Sequence, residues 1–387
     1  MHETCSETPF SEAEYACRYS EVRQVLEEQQ LAGVLCYGNR GVPGLLHYLA
    51  NFTPRWESFL FFPVKGEPLL LVQLYNHAPD AKRRSVIGDT RWGGEDSIHT
   101  LAAELELRRL NAGVIGLAGP LPYQRYAGLQ RATPHVHWKD VSAILGQLRW
   151  VKSAEEIERV RVAAALTDLA MAALAEGVRP GVCETDLAPL METAVASRGG
   201  RLELCYLAST GMTNPNVCVP AQNPANRQLE TGDVIITEIG AGCGGYAGQI
   251  HRPIAVNAEP TKRYRQLFDV ALEAYQKVAD AIHPGATEQD VLSAAEVIHD
   301  RGYSIYDDLV HGFGGGYLPP VLRTRATSHG EIRPFTFQEN MCVVVQPNII
   351  TPDERMGLQL GQLHLVTSDG LESLQNFPLE FIISQSS

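Results

Sequence analysis

The part of the chain after residue 150 contains an internal repeat that restricts its fold to few architectures. Residues 175–187 and 279–291 share a Pro-Gly pair followed by two acids at equal spacing: Pro180, Gly181, Glu184 and Asp186 in one copy, Pro284, Gly285, Glu288 and Asp290 in the other. Pro-Gly typically ends one helix, and an acidic first turn begins the next. Each copy then leads into a glycine-containing apolar segment, Leu207–Gly211 or Val310–Gly316. Two such pseudo-symmetric units predict an α+β domain whose helices cover one face of an antiparallel sheet.

The first 150 residues have a different sequence pattern. Short apolar runs alternate with stretches in which apolar residues recur at helical spacing. They predict a helix over 11–30, a strand over 31–37, a hairpin of 59–64 with 69–74, a helix over 100–110 and a strand over 112–117. This alternation is typical of a small α/β domain. A charged helical stretch without Gly or Pro then runs from near Leu148 to about Glu176. We therefore predict two domains, 1–150 and 151–387, with the boundary between them near Trp150.

Composition limits the classes of partner. The chain has 44% hydrophobic and 20% charged residues, and its net charge of −13 disfavours binding to nucleic acid or to anionic membranes. No apolar run approaches the roughly 18 residues of a membrane span, and Met1–Phe10 has no apolar signal core. The eight cysteines form no Cys-x-x-Cys pair, which predicts neither a zinc site nor a disulfide framework. We expect a reduced, cytoplasmic protein.

Gly232–Pro253 is the most informative stretch for function. An apolar run ends at Glu238, a glycine-rich reversal follows, and a second run carries Gln249, His251 and Arg252. This pattern predicts a β-hairpin in which Glu238 and Gln249 lie on facing strands, with side chains that meet on one face. Such a polar pair is either an internally satisfied hydrogen bond or part of a functional site.

Several motifs from Leu148 onward resemble the pita-bread family, which contains creatinase, aminopeptidase P and prolidase. They are the Leu148–Arg161 segment, the two Pro-Gly helix hairpins, His311-Gly-Phe-Gly, Val345-Gln-Pro and the closing Val366-Thr-Ser-Asp-Gly370. The resemblance implies a small N-terminal domain and a C-terminal domain with its cleft on a curved sheet. It also implies a homodimer in which the N-terminal domain of one subunit contributes to the site of the other.

The metallopeptidase branch of that family holds two metal ions with two Asp, one His and two Glu. The matching positions here are Glu238, Gln249, His311, Gln346 and Gly361. Neutral amides and a glycine cannot supply the charge that offsets two divalent cations. The sequence therefore predicts no metal and no cofactor, and it places an Xaa-Pro metallopeptidase last among the alternatives.

The metal-free creatinase branch is the resemblance on which the functional prediction is based. Where creatinase has its catalytic His this chain has Gln222, and its two guanidinium-binding glutamates fall on His251 and Gln346. Ectoine hydrolase, another metal-free relative, has a catalytic Glu at the position of Glu238. We predict a metal-independent hydrolase or lyase that cleaves a guanidino, amidino or cyclic amidine C–N bond in a small, carboxylate-bearing, amino-acid-like substrate. The alternative is a non-catalytic binding protein on the same scaffold.

The predicted catalytic residues are Glu238, His311 and His251, because a carboxyl beside a histidine makes a general acid–base couple. For both histidines a purely structural hydrogen bond is the alternative. The predicted substrate-binding residues are Gln222, Gln249, Gln346, Tyr246, Arg55, Arg323 and Arg325. The glutamines suit a polar neutral group, and the arginines suit a carboxylate. A solvated surface charge is the alternative for each arginine.

Overall fold

The structure is a computed structural model that describes Cys5 and residues 8–41, 44–328, 330 and 333–384. The chain forms two compact units. One is Thr8–Arg149, and the other begins at Trp150 and includes Cys5. The observed architecture confirms the predicted α+β class.

The N-terminal unit is built on a six-stranded mixed sheet of order β4-β3-β2-β1-β5-β6. Its strands are β1 Gly33–Gly38, β2 Ser58–Pro63, β3 Leu69–Val72, β4 Asp89–Trp92, β5 Gly113–Ala118 and β6 Val136–Asp140. Its helices are α1 Glu12–Glu28, α2 Gly44–Ala50, α3 Ala78–Arg84, α4 Ser97–Leu107, α5 Tyr123–Ala132 and α6 Ser142–Gly146, with 3₁₀ turns at Tyr75–His77 and Gln147–Arg149. The predicted hairpin is present, since β2 and β3 pair antiparallel.

The C-terminal unit contains a ten-stranded sheet whose main order is β13-β12-β14-β17-β9-β8-β10-β19, with β18 beside β17 and β7 beside β8. Its first strands are β7 Arg201–Gly211, β8 Asp233–Cys243, β9 Tyr246–His251, β10 Ile254–Val256, β11 Ser304–Ile305, β12 Val310–Gly312 and β13 Leu318–Leu322. The remaining strands are β14 Cys342–Val345, β15 Asn348–Ile350, β16 Gly357–Gln359, β17 Gly361–Thr367, β18 Gly370–Ser373 and β19 Ile382–Ser384. Strands β11, β15 and β16 form a separate small sheet. The helices are α7 Ala154–Gly177, α8 Glu184–Ala196, α9 Lys262–Asp280, α10 Glu288–Ala295 and α11 Val297–Asp300.

The sequence repeat corresponds to two similar structural units, α7-α8-β7 and α9-α10-β12. In both copies the glycine of the Pro-Gly pair has a positive φ, 87° at Gly181 and 90° at Gly285, a conformation that glycine adopts without steric cost. The repeated Asp then caps the N-terminus of the next helix by accepting a hydrogen bond from the backbone N–H of the N-cap residue. Asp186 accepts from Cys183, and Asp290 accepts from Thr287. The repeat therefore encodes a turn and a cap, which fix two helix hairpins.

Helix α7 covers one face of the sheet at β8 and β9. A Cβ added to Gly248 would lie 2.9 Å from Cα of Ala164, so only glycine permits this approach. The Thr167 hydroxyl donates to the carbonyl of Ala241 across the same contact. Since side chains alternate along β9, this packing leaves Gln249 and His251 on the opposite face.

Two details differ from the sequence analysis. Helix α7 starts at Ala154, because Ser153 and Glu156 form a capping box, and a 3₁₀ turn occupies the region near Leu148. The expectation of no disulfide was wrong, since Cys5 is bonded to Cys243. None of the helices in the described part of the chain has the length and apolarity that a membrane crossing requires.

Candidate functional site

Polar side chains gather on the sheet face that the helices leave free. The pairing of Ile239 with Ile250 sets Glu238 of β8 beside His251 of β9, and His251 pairs in turn with Gly361 of β17. Alternation along each strand places further polar residues on this face. The resulting set, called the polar cluster below, is Glu238, Gln249, His251, His311 and Gln346.

The Gln249 amide is the centre of the polar cluster. Its Nε2 donates to Oε1 of Glu238 at 2.8 Å and to Oε1 of Gln346 at 3.2 Å, and it lies 3.3 Å from Nε2 of His251. The predicted meeting of Glu238 and Gln249 is thus present in the structure. An amide fixed by several partners holds the Glu238 carboxyl in one orientation.

Gln346 links the centre of the cluster to His311. Its Oε1 lies 3.2 Å from Nε2 of His311, whose Nδ1 lies 3.1 Å from the carbonyl oxygen of Gly312. On its other side the Gln346 amide donates to the carbonyl of Asp308 at 3.4 Å and to Oδ2 of Asp307 at 3.5 Å. A continuous chain of hydrogen bonds therefore runs from Glu238 to Asp307.

Burial determines the charges in the cluster. Gln249, His251, His311 and Gln346 are buried, with exposed fractions of 2% or less, whereas the Glu238 side chain is partly exposed. Burial, and then the charges of Asp307 and Asp308, raise the pKa of Glu238 to about 8. Burial lowers the pKa of both imidazoles. At neutral pH the cluster therefore holds a mostly protonated Glu238 and two neutral histidines.

Glu238 is expected to make the protein less stable as pH rises from about 5 to about 8. The folded chain keeps this proton to about pH 8, whereas an unfolded glutamate loses it near 4.5, so raising the pH favours unfolding between these values. The slope is at most about 1.4 kcal/mol per pH unit. We expect Glu238→Gln to gain stability over wild type across this window in denaturant unfolding. A stability difference that does not change with pH would contradict this.

Sequence reasoning missed two carboxyls beside the cluster, Asp307 and Asp308. Asp308 is buried, pairs with Arg323 at 2.7 Å and accepts from the Tyr317 hydroxyl, and the Tyr317 ring lies 4.6 Å from the His311 ring between centroids. Burial raises the pKa of the partly buried Asp307. An acid pair just before a strand that contains a histidine was the available signal.

The structure places the other predicted residues outside the polar cluster. Tyr246 lies on the helix-facing side of β9, and its hydroxyl donates to Glu156 at 2.7 Å. Gln222 is exposed in the segment between β7 and β8. Arg325 pairs with Glu296 at 3.1 Å, while Arg323 reaches the cluster only through Asp308. Arg55 is exposed in the N-terminal unit, and its contribution to a partner subunit's site stays a prediction.

The pair of metal ions that the family resemblance implies does not fit these residues. Two of the five positions are amides that already bond to each other, Gln249 and Gln346. A Cβ added to Gly361 would lie 2.3 Å from the carbonyl oxygen of Val345 and 3.0 Å from Cβ of Gln346, so that position has no room for a ligand side chain. Among the described residues, no group of three or more His, Cys, Asp or Glu is placed to hold a metal ion.

Comparison with known proteins identifies relatives that align with most of the chain. Residues 158–368 match the family model described as metallopeptidase family M24. The Xaa-Pro dipeptidase of Pyrococcus furiosus is 24% identical over 342 residues, which are 88% of this chain and 93% of that protein. The Xaa-Pro dipeptidase of Lactobacillus delbrueckii subsp. lactis is 25% identical over 338 residues, covering 85% of this chain and 90% of that protein.

Solved structures show the same fold. The Xaa-Pro dipeptidase from Bacillus anthracis superposes with a TM-score of 0.81 at 24% identity, covering 95% of this chain and 99% of that one. The X-Pro aminopeptidase from Thermotoga maritima MSB8 gives a TM-score of 0.81 at 21% identity, covering 94% and 99%. The two Xaa-Pro dipeptidases that align with most of this chain overturn the prediction of a metal-independent, creatinase-like hydrolase of non-peptide C–N bonds. That prediction was wrong.

Proposed function

The chain belongs to metallopeptidase family M24, and from that premise we propose that it hydrolyses the peptide bond of small peptides. The named relatives that align over most of its length are Xaa-Pro dipeptidases, which supports a dipeptide-sized substrate. The observation that carries the proposal is Glu238, a partly exposed carboxyl on a floor of buried polar side chains. Its pKa of about 8 lets it exchange a proton near neutral pH.

In this proposal Glu238 moves one proton. The ionised carboxylate takes a proton from water as the water oxygen bonds to the peptide carbonyl carbon. The same carboxyl then gives the proton to the peptide nitrogen as the C–N bond breaks, which yields a carboxylic acid and an amine. Gln249 orients the carboxyl through their 2.8 Å hydrogen bond, Gln346 accepts from Gln249, and His311 lies within hydrogen-bond distance of Gln346. No step is assigned to the two ions, because the described side chains do not match them.

The test is direct measurement of products from defined peptides. The full chain is incubated with Xaa-Pro and Xaa-Ala dipeptides, and free amino acids are quantified by mass spectrometry. Parallel reactions contain either a chelator or added Mn²⁺, Co²⁺ or Zn²⁺, so the result does not depend on an assumed ion. We expect enzyme-dependent release of amino acids from at least one dipeptide class. Binding of the dipeptides with no release in any of these reactions would overturn the proposal.

A further inference from the structure

Among the described residues, the Asp307 carboxylate accepts hydrogen bonds from neutral groups and forms an ion pair with no cationic side chain. It accepts from the backbone N–H of Asp308 at 2.7 Å, from the Gln359 amide at 3.1 Å and from the Gln346 amide at 3.5 Å. Among the described residues no lysine or arginine pairs with it, whereas its neighbour Asp308 binds Arg323. Asp307 is partly exposed, so a ligand can reach it.

Gln359 supplies an independent sign of a missing donor. The Gln359 side chain is fully buried, and its Nε2 donates to Asp307. Its Oε1 is buried as well and receives no hydrogen bond from the described residues. Oε1 of Gln249, at the other end of the same hydrogen-bond chain, is also buried without a donor. A buried acceptor left without a donor costs free energy, on the order of 1–3 kcal/mol. This region of the C-terminal unit therefore has a surplus of acceptors and of negative charge.

An ammonium group fits such a surplus, because it offers three donors, no acceptor and one positive charge. We propose that Asp307, with Oε1 of Gln359, forms a subsite that binds the free amino terminus of the peptide. The subsite rests on the proposed small-peptide function, and it adds a requirement for a charged amine. Glu238, two amide side chains away along the hydrogen-bond chain, is left free for proton transfer.

Calorimetric binding to the full chain tests the subsite without requiring turnover. The probes are Ala-Pro and propionyl-proline, which has the same skeleton but no amino group. We expect wild type to bind Ala-Pro about 10- to 100-fold more tightly than propionyl-proline, the usual range for a hydrogen bond to a charged group. Asp307→Asn should bring this ratio close to one by weakening Ala-Pro. Gln359→Met, which removes the buried acceptor, should reduce the ratio in the same direction.

The control is Asp280→Asn, an exposed acid at the end of α9 that should keep the wild-type ratio. Equal binding of the two probes by wild type, or an unchanged ratio in Asp307→Asn, would overturn the subsite. If adding Na⁺, K⁺ or Mg²⁺ at matched ionic strength abolished the preference for Ala-Pro, the site would be one for an inorganic cation. That result would also overturn the proposed amino-terminus subsite. Failure of the proposed function can be distinguished from failure of the subsite, because the protein would then bind Ala-Pro selectively without releasing amino acids.

Discussion

Glu238→Gln is expected to lower kcat for dipeptide hydrolysis by about 10²- to 10⁴-fold, the range that a general acid–base residue contributes. The amide has the shape of the carboxyl, and its oxygen can still accept from Gln249, so the arrangement of the polar cluster is preserved. It cannot take a proton from water or give one to nitrogen. KM should change little, because in this mechanism Glu238 acts on the reacting atoms and Asp307 holds the amino terminus.

The matched control is Glu203→Gln on β7, which removes an exposed carboxylate that pairs with Arg201. It should keep kcat within about twofold, since surface ion pairs contribute little. Denaturant unfolding curves of both variants show whether a lower kcat results from a less stable fold or from the missing carboxyl. A Glu238→Gln enzyme with wild-type kcat would exclude Glu238 as the proton carrier.

The sequence predicted the features of the fold that are encoded locally. Pro-Gly pairs with acids at a fixed spacing led to the right helix hairpins, because a positive φ and a cap are properties of a few neighbouring residues. The α7 start was predicted too early, although Ser153 and Glu156 already formed a capping-box signature. Tyr246 could also have been placed correctly, because a residue three positions from Gln249 on a strand lies on the opposite face.

The sequence could not predict the features that depend on long-range register. Asp307 and Gln359 are 52 residues apart in the chain and meet only through the arrangement of several strands. Cys5 and Cys243 are separated by 238 residues, and neither belongs to a spacing motif. The functional error has a different cause. The functional prediction gave more weight to four substituted positions than to similarity over most of the chain, and that similarity identified the relatives.

Arg252→Ala is expected to destabilise the C-terminal unit by about 5 kcal/mol or more, since removing the guanidinium takes a donor from five acceptor oxygens at once. Arg252 is fully buried, and its guanidinium donates to five oxygens. They belong to Pro378 at 2.5 Å, His251 at 2.9 Å, Gly361 at 2.7 Å, Gln362 at 2.5 Å and Phe377 at 2.9 Å. Burial lowers its pKa to about 10, so it stays charged at neutral pH. It therefore joins β9, β17 and the segment before β19.

Hydrogen exchange measured by mass spectrometry localises the effect. Peptides that cover β9, β10 and β17–β19 should lose protection in Arg252→Ala, whereas peptides from Thr8–Arg149 serve as an internal reference. Arg252→Lys keeps the charge but has only three donors, so its loss should be intermediate. Arg265→Ala, which breaks an exposed pair with Glu259, is the control and should change stability by less than about 1 kcal/mol. Equal protection in Arg252→Ala and Arg265→Ala would show that the five contacts do not hold these strands together.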